Sequence, residues 1–266
     1  MPSHRSSAGD ATRTLELLWR RSETGLVQRG PRPSLTVDTV VAKAIAVADA
    51  EGLETLTVRR VAQALGTAPM SLYTYVPSKA ELLDLMLDTV YAQMARTHPR
   101  ETHWRARLAA VAEDNRVLYE RHPWVSSVST RRPPLGPGLM EKYEYELRPL
   151  EGLGLDDVEM DAALSFVLGF VDACARTAAD VRAAQQETAM SDPQWWAANA
   201  PLLARVFDVA KYPLAARVGT AAGKAHEGAH GAVHAFDFGL RRVLDGLALL
   251  VDARAKEAPG RQGRRR

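Results

Sequence analysis

Three histidines, His226, His230 and His234, recur at intervals of four, with Glu227 and Asp237 nearby. On one continuous helix that spacing puts three imidazoles on a face, a set suited to zinc or nickel. Gly228 and Gly231 interrupt such a helix, so a flexible loop competes with the metal site, and no metal is assigned. The single cysteine, Cys174, sits in an apolar stretch. It reads as inert packing, with a redox-sensing thiol as the alternative. One cysteine excludes an intrachain disulfide and fits a reducing compartment. The chain shows no nucleophile elbow, phosphate loop, HExxH motif or credible carboxylate pair, so neither catalytic residues nor cofactors are expected. A further set suits recognition. In the stretch 56–79, LTVRRVAQALGTAPMSLYTYVPSK, the residues Met70, Ser71, Thr74 and Tyr75 face one way, with Tyr73 on the flank. Small, hydroxylic and aromatic groups on a short helix suit the floor of a DNA major groove. An αα-hairpin that merely packs would show the same periodicity.

The elements around that stretch follow from spacing. Val58, Val61, Ala62 and Leu65 mark one face of a helix that Thr57 caps and Gly66 ends. The Thr57 hydroxyl is also placed to reach a phosphate. Thr67 is expected to cap the next helix, with Pro69 in its first turn and Leu72, Val76 and Pro69 pointing inward. Upstream, Val37, Val40, Val41, Ala44, Ile45 and Ala48 form a stripe closed by Glu51-Gly52. Downstream, Ser78 to Glu81 reads as a capping box opening a helix to about Arg96. Lys79 lies in its first turn, where the helix dipole disfavours a cation; a DNA phosphate would account for it, as would ordinary solvation.

The rest of the chain adds long helices: from Trp104 to His122, from about Leu139 to Gly152, from Asp156 or Asp157 to Gln186, from Ser191 to Ala210, and from Val233 to Ala253. Ala162 to Ala175 is apolar almost all round and is expected to be buried on more than one side. Residues 124–138 read as loop, 212–231 as flexible, and no stretch alternates long enough to be a strand. The 266 residues carry a net charge of +2 and are 46% apolar, enough for a sizeable core. Both ends are basic. Residues 1–33 look mobile apart from one short helix around Leu15 to Trp19, and Arg29 and Arg32 flank prolines there. That segment is either a solvated linker or an arm that places arginine in a minor groove. No apolar run follows Met1 and no segment approaches the roughly 18 apolar residues of a membrane span, so a cytoplasmic protein is expected.

The residues GLETLTVRRVAQALGTAPMSLYTYVPSKAELLDLM resemble the DNA-binding domain of the TetR family of bacterial transcriptional regulators. The hallmarks are Thr57, Gly66, the run Leu72-Tyr73-Thr74-Tyr75-Val76 and Lys79, over about 34–95. RHPWV (121–125), ALSFVLGFV (163–171) and FDFGLRRVLDGL (236–247) resemble the regulatory domain of the tetracycline-repressor branch, more loosely. The resemblance implies that Arg59 reaches a base edge or phosphate. It implies that Pro69, Met70, Ser71, Thr74 and Tyr75 present the recognition surface, and that Thr57, Tyr73 and Lys79 hold phosphates. Thr74 is small where the tetracycline repressor carries tryptophan, so the operator does not transfer. The histidine that helps that repressor hold a magnesium chelate has no counterpart in 124–135, so a different effector is expected.

The expectation is an all-α protein. An extension (1–33) precedes a three-helix helix-turn-helix domain (34–80); an effector-binding and dimerisation domain (81–255) and a disordered basic tail (256–266) follow. The partners implied are a palindromic double-stranded operator, a second copy of the chain and a largely apolar small molecule. One recognition helix makes few base contacts, and a dimer places two half-sites about 34–36 Å apart. The apolar helices 157–186 and 233–253 suit the dimer surface, with monomer core as the alternative. Trp104, Met140, Tyr143, Phe166, Phe170, Trp195 and Trp196 are candidates for an apolar effector wall, each weighed against ordinary core packing. A repressor released by its effector is the leading reading. An activator of the same fold, a metal-responsive regulator and a helical enzyme are the alternatives.

Overall fold

The computed structural model describes residues 4–20, 35–100, 103–226 and 232–261. The positions Arg29, Arg32, Glu227 and His230 lie outside the described residues. Among the described residues eleven α-helices run in chain order: α1 Ala11–Leu18, α2 Val37–Glu51, α3 Val58–Leu65, α4 Pro69–Tyr73, α5 Lys79–Ala92, α6 Trp104–Arg121, α7 Pro137–Leu147, α8 Asp157–Thr188, α9 Asp192–Val206, α10 Pro213–His226 and α11 Ala232–Arg261. A short 3-10 segment, Pro123–Ser127, follows α6. Where no strand is expected from the sequence, two very short ones form. β1 His4–Arg5 pairs in parallel with β2 Val128–Ser129, with His4 opposite Val128.

Helices α2 to α4 build a small unit. Thr36 and Thr39 cap α2 reciprocally, and Gly52 closes it at φ 82°. Thr57 accepts the Arg60 N–H at 3.1 Å and so caps α3. Gly66 ends α3 in the left-handed region, φ 66°, and the Thr67 N–H reaches back to the Ala62 carbonyl at 3.0 Å. That closure favours glycine because it has no Cβ to clash. Thr67 stands one residue before the cap position of α4 and does not cap it. The cap position is Ala68, which makes no side-chain bond. Pro69 sits in the first turn but is exposed rather than inward-facing. Leu72 and Val76 do go inward, at 2% and 3% exposure. Each apolar side chain buried to that degree contributes about 1.5–3 kcal/mol, enough to seat a helix too short to be stable alone.

Helix α5 runs through the molecule as an axle. It packs against α2 on one side and α1 and α7 on others. It ends at Ala92, one turn before the length its sequence pattern suggests. Leu82, Leu83, Leu85, Met86 and Val90 are buried, and so are Glu81, Asp84 and Asp88. Those carboxylates receive backbone N–H groups from elsewhere in the chain. Ser7 donates to Asp84 at 2.8 Å, Asp10 to Glu81 at 3.2 Å, and Leu139 to Asp88 at 2.9 Å. The expected reciprocal capping box therefore does not form. The Ser78 hydroxyl accepts from Ala80 and donates to Glu81, whose carboxylate serves the N-terminal segment instead. The extension is ordered over 4–20 by these bonds, by β1 and by Leu18, which is 4% exposed.

Beyond α5, α8 packs against α6, α7 and α11. Only Ala163, Leu164, Val167 and Val171 of α8 are buried, so within one chain this helix is covered on one side rather than several. Phe166, in its middle, is 57% exposed. Helix α9 buries no residue, although Pro201 is accommodated inside it. The Gly/Ala-rich stretch expected to be flexible is largely the helix α10. Its alanines are strong helix formers and offset Gly219 and Gly223. Helix α11 continues to Arg261, past the end of its apolar pattern.

Candidate nucleic-acid interface and effector cavity

The exposed side of α3–α4 collects most residues that the sequence singles out. Thr57, Arg59, Pro69, Met70, Ser71, Tyr73 and Thr74 are exposed, and Met70 reaches 75%. Tyr75 is half-buried and packs on the core. Helix α4 ends at Tyr73, so Thr74 and Tyr75 belong to the turn after it. Two adjacent arginines divide their labour. Arg60 forms a two-pronged pair with Glu51 of α2, one prong at 2.9 Å, and each group holds the other's charge in place. Arg59 has no carboxylate partner among the described residues and projects to solvent. Lys79 is half-buried. Burial pushes its ammonium pKa down, and the nearby Glu54 carboxylate opposes that.

The two halves of the molecule meet at Asp49, near the end of α2. Its carboxylate accepts the Trp124 indole N–H at 2.8 Å and lies 2.8 Å from Nδ1 of His122. His122 and Trp124 are both nearly fully buried. RHPWV therefore carries a structural bond to the DNA-reading unit, a role the sequence pattern leaves unassigned.

A cavity of about 370 Å³ lies among α5, α6, α7, α8 and the Val125–Pro133 segment. Tyr91 of α5 lines it, with Tyr119, Leu164 and Leu168 supplying apolar surface and Asn115, Lys142 and Glu146 supplying polar groups. Lys142 and the Asn115 amide both donate to the same Glu146 oxygen at 2.6 Å. The Lys142 ammonium also sits 5.4 Å from the centre of the Tyr91 ring. Burial pushes the Tyr119 and Tyr91 hydroxyls well above the ordinary tyrosine range, so both stay neutral donors. Apolar side chains around a few converging polar groups can hold and orient a small molecule.

The residues proposed from sequence as an effector wall do not come together. Tyr143 lines this cavity, and its hydroxyl donates to Asp161 at 2.7 Å. Met140 and Phe166 are exposed. Phe170 packs on Phe236 with ring centres 5.8 Å apart. Trp104 lies under the Arg105 guanidinium, and Trp195 and Trp196 stack on each other on α9. Asn115 at a stripe position of α6, and Lys142 four residues before Glu146 on α7, are the sequence signals that point to the cavity. Cys174 lines a second cavity of about 300 Å³ beside Phe236. Burial pushes its thiol up, opposite to the activation a redox sensor needs. His226 ends α10, whereas His234 lies on α11 beside Phe238, so the two stand on separate helices.

Comparison with known proteins decides what this arrangement is. Residues 40–86 match the bacterial regulatory proteins of the tetR family, and residues 98–251 match the tetracyclin repressor-like C-terminal domain. This chain belongs to the TetR family. It is 43% identical, over 258 residues, to the HTH-type transcriptional repressor DrrR1 of Streptomyces coeruleorubidus, covering 95% of this chain and 91% of that protein. Its fold is similar to that of ActR from Streptomyces coelicolor. The apo form superposes with a TM-score of 0.65 at 26% identity, covering 86% of this chain and all of that one. The ActR complex with actinorhodin gives 0.65 and 26% over 80% of this chain and 95% of that one. As a TetR-family regulator it is all-α, with a helix-turn-helix DNA-binding domain joined to a ligand-binding domain. The segment 4–20 precedes both matched regions.

Proposed function

We propose that this chain is a repressor which binds a palindromic operator as a homodimer and is released by a small molecule held in the 370 Å³ cavity. The carrying observation is α5. It opens with Lys79 beside the DNA-reading unit and reaches the cavity with Tyr91. A ligand that fits the cavity better in one orientation of α5 selects that orientation, and the operator then binds the remaining population less well. Asp49, held by His122 and Trp124, is the second link between the halves. The protein acts through binding rather than catalysis. The likeness to a repressor and to a regulator crystallised with actinorhodin favours release by an effector over activation.

The DNA surface is assigned to Arg59, Pro69, Met70, Ser71, Tyr73, Thr74 and Tyr75, with Thr57 and Lys79 on phosphates; Arg32 joins them as an arm if it reaches a minor groove. No helix among the described residues is long and apolar enough to cross a membrane. The site of action is the cytoplasm, with the DNA. Selection of binding sequences from a random pool tests the reading. The expected outcome is one palindromic motif with half-sites a helical turn apart, bound with a steep dependence on salt. Ser71→Ala should shift the selected motif, whereas Tyr73→Ala should weaken all sequences alike. Failure to enrich any motif would sink the proposal.

A further inference from the structure

Next to the effector cavity lies a third, larger one of about 840 Å³, and its walls are basic. Arg5 comes from β1, Arg131 and Arg132 from the loop after β2, and Arg176 from α8. None of the residues lining it is acidic. Arg5, Arg131 and Arg132 have no carboxylate partner among the described residues. Arg176 is paired with Asp172 at 2.6 Å, and Asp172 faces the effector cavity. Thr130 lines both spaces, so the two adjoin through Thr130 and the Asp172–Arg176 pair.

The arginines are held there by construction. The Ser6 N–H and hydroxyl donate to the Ser129 carbonyl at 3.2 Å, and that hydroxyl also reaches the Arg132 carbonyl at 2.5 Å. The Ser7 hydroxyl donates to the Pro133 carbonyl at 3.0 Å. These bonds tie the loop carrying Arg131 and Arg132 to the strand carrying Arg5. Like charges gathered in this way repel one another, and an anion relieves the repulsion. Guanidinium groups suit an oxyanion because they offer paired N–H donors in a fixed plane.

We propose that this arginine-lined space is a subsite for an acidic group, a carboxylate or sulfonate-like oxyanion, on an effector whose apolar body occupies the adjoining cavity. The inference rests on that cavity being the effector site. It makes the N-terminal segment, which precedes both regions shared with the family, part of ligand recognition through Arg5.

Two fluorescent probes that differ only in charge test it on the full chain: 1-anilinonaphthalene-8-sulfonate and its uncharged analogue N-phenyl-1-naphthylamine. The sulfonate should bind about tenfold more tightly at low salt, and added salt should erode the advantage. The exposed pair Arg131→Gln/Arg132→Gln, or Arg5→Gln, should remove most of that advantage and leave the neutral probe unchanged. Gly169→Leu should weaken both probes, because Gly169 lines the effector cavity and a Cβ there meets nothing within 4 Å. Equal affinity for the two probes in the wild-type protein, or equal loss of both on arginine removal, overturns the subsite while leaving the cavity assignment intact. Insensitivity of both probes to Gly169→Leu overturns the cavity assignment and the subsite with it. Weaker operator binding by the probe-free arginine variants would assign the arginines to DNA phosphates and also overturn the proposal.

Discussion

At the scale of single residues, neighbours of the same type do different work, and their partners tell them apart. Arg59 and Arg60 are adjacent, yet Arg60 is committed to Glu51 while Arg59 projects from α3. Arg59→Ala should weaken operator binding with little change in melting temperature, and Arg60→Ala should lower the melting temperature and keep the selected motif. Titration of operator and thermal melts on both variants check this; the reverse pattern would contradict the assignment. Asp84 carries a second prediction. Burial raises its pKa to about 6, the Ser7 N–H opposes that, and the Glu81 charge adds to it. A folded-state pKa above the unfolded value means that protonation favours the fold. The stabilising contribution is fully present below about pH 4 and is lost as pH rises through 6. Asparagine mimics the protonated form and keeps an acceptor for Ser7. Asp84→Asn should therefore gain on the wild type by about 1 kcal/mol between pH 5 and pH 7.5 in urea titrations. A difference that stays constant across that range would refute the account.

At the scale of elements, a feature set by a few adjacent residues is legible in the sequence, and it changes where a distant segment claims one of those residues, as the N-terminal segment claims Glu81. The spacing of Val58, Val61, Ala62 and Leu65, the Thr57 cap and the left-handed Gly66 are properties of a few adjacent residues, and they were legible. The burial of Glu81, Asp84 and Asp88 was not. Their donors come from Asp10, Ser7 and Leu139, some 50 to 80 positions away. Nothing in the residues around α5 points to those donors. The aromatic residues expected to wall an effector site lie apart for a related reason: the folding of distant helices decides what meets, and the cavity has Lys142, Asn115 and Glu146 at its centre. The most extensive contact between two elements is that between α5 and α7. Gly136 and Gly138 open α7 against Asp88, and a Cβ on Gly138 would stand 2.0 Å from the Asp88 carbonyl oxygen. Backbone cannot yield as a side-chain tip can, so Gly138→Ala must spread the two helices. It should cost about 1–3 kcal/mol, read as a lower urea midpoint with an unchanged slope. Because α5 runs from beside the α3–α4 unit to the cavity, the same variant should also weaken operator binding. Full stability with full affinity would show that the crossing tolerates a methyl group.

At the scale of the whole molecule, the single chain leaves a large apolar surface unclaimed. Phe166 on α8 is 57% exposed, Phe238 and Leu249 on α11 are 52% and 74%, and Val158 is 78%. Single exposed apolar residues need no explanation, but a set spread along two helices that pack on each other does. The apolar pattern all round α8 fits a second copy supplying the layer that one chain leaves open. An isologous dimer would apply the same patch twice, so each substitution acts twice. Phe166→Glu with Leu249→Glu should convert a dimer measured by light scattering into a monomer. Operator affinity should then fall by a factor of 100 or more, because each half-site supplies only part of the binding energy and the two are no longer linked. Tight binding by a monomeric variant would remove the need for a second copy, whereas a dimer that survives both substitutions would place the interface elsewhere, with the exposed helices α9 and α10 the next surface to test.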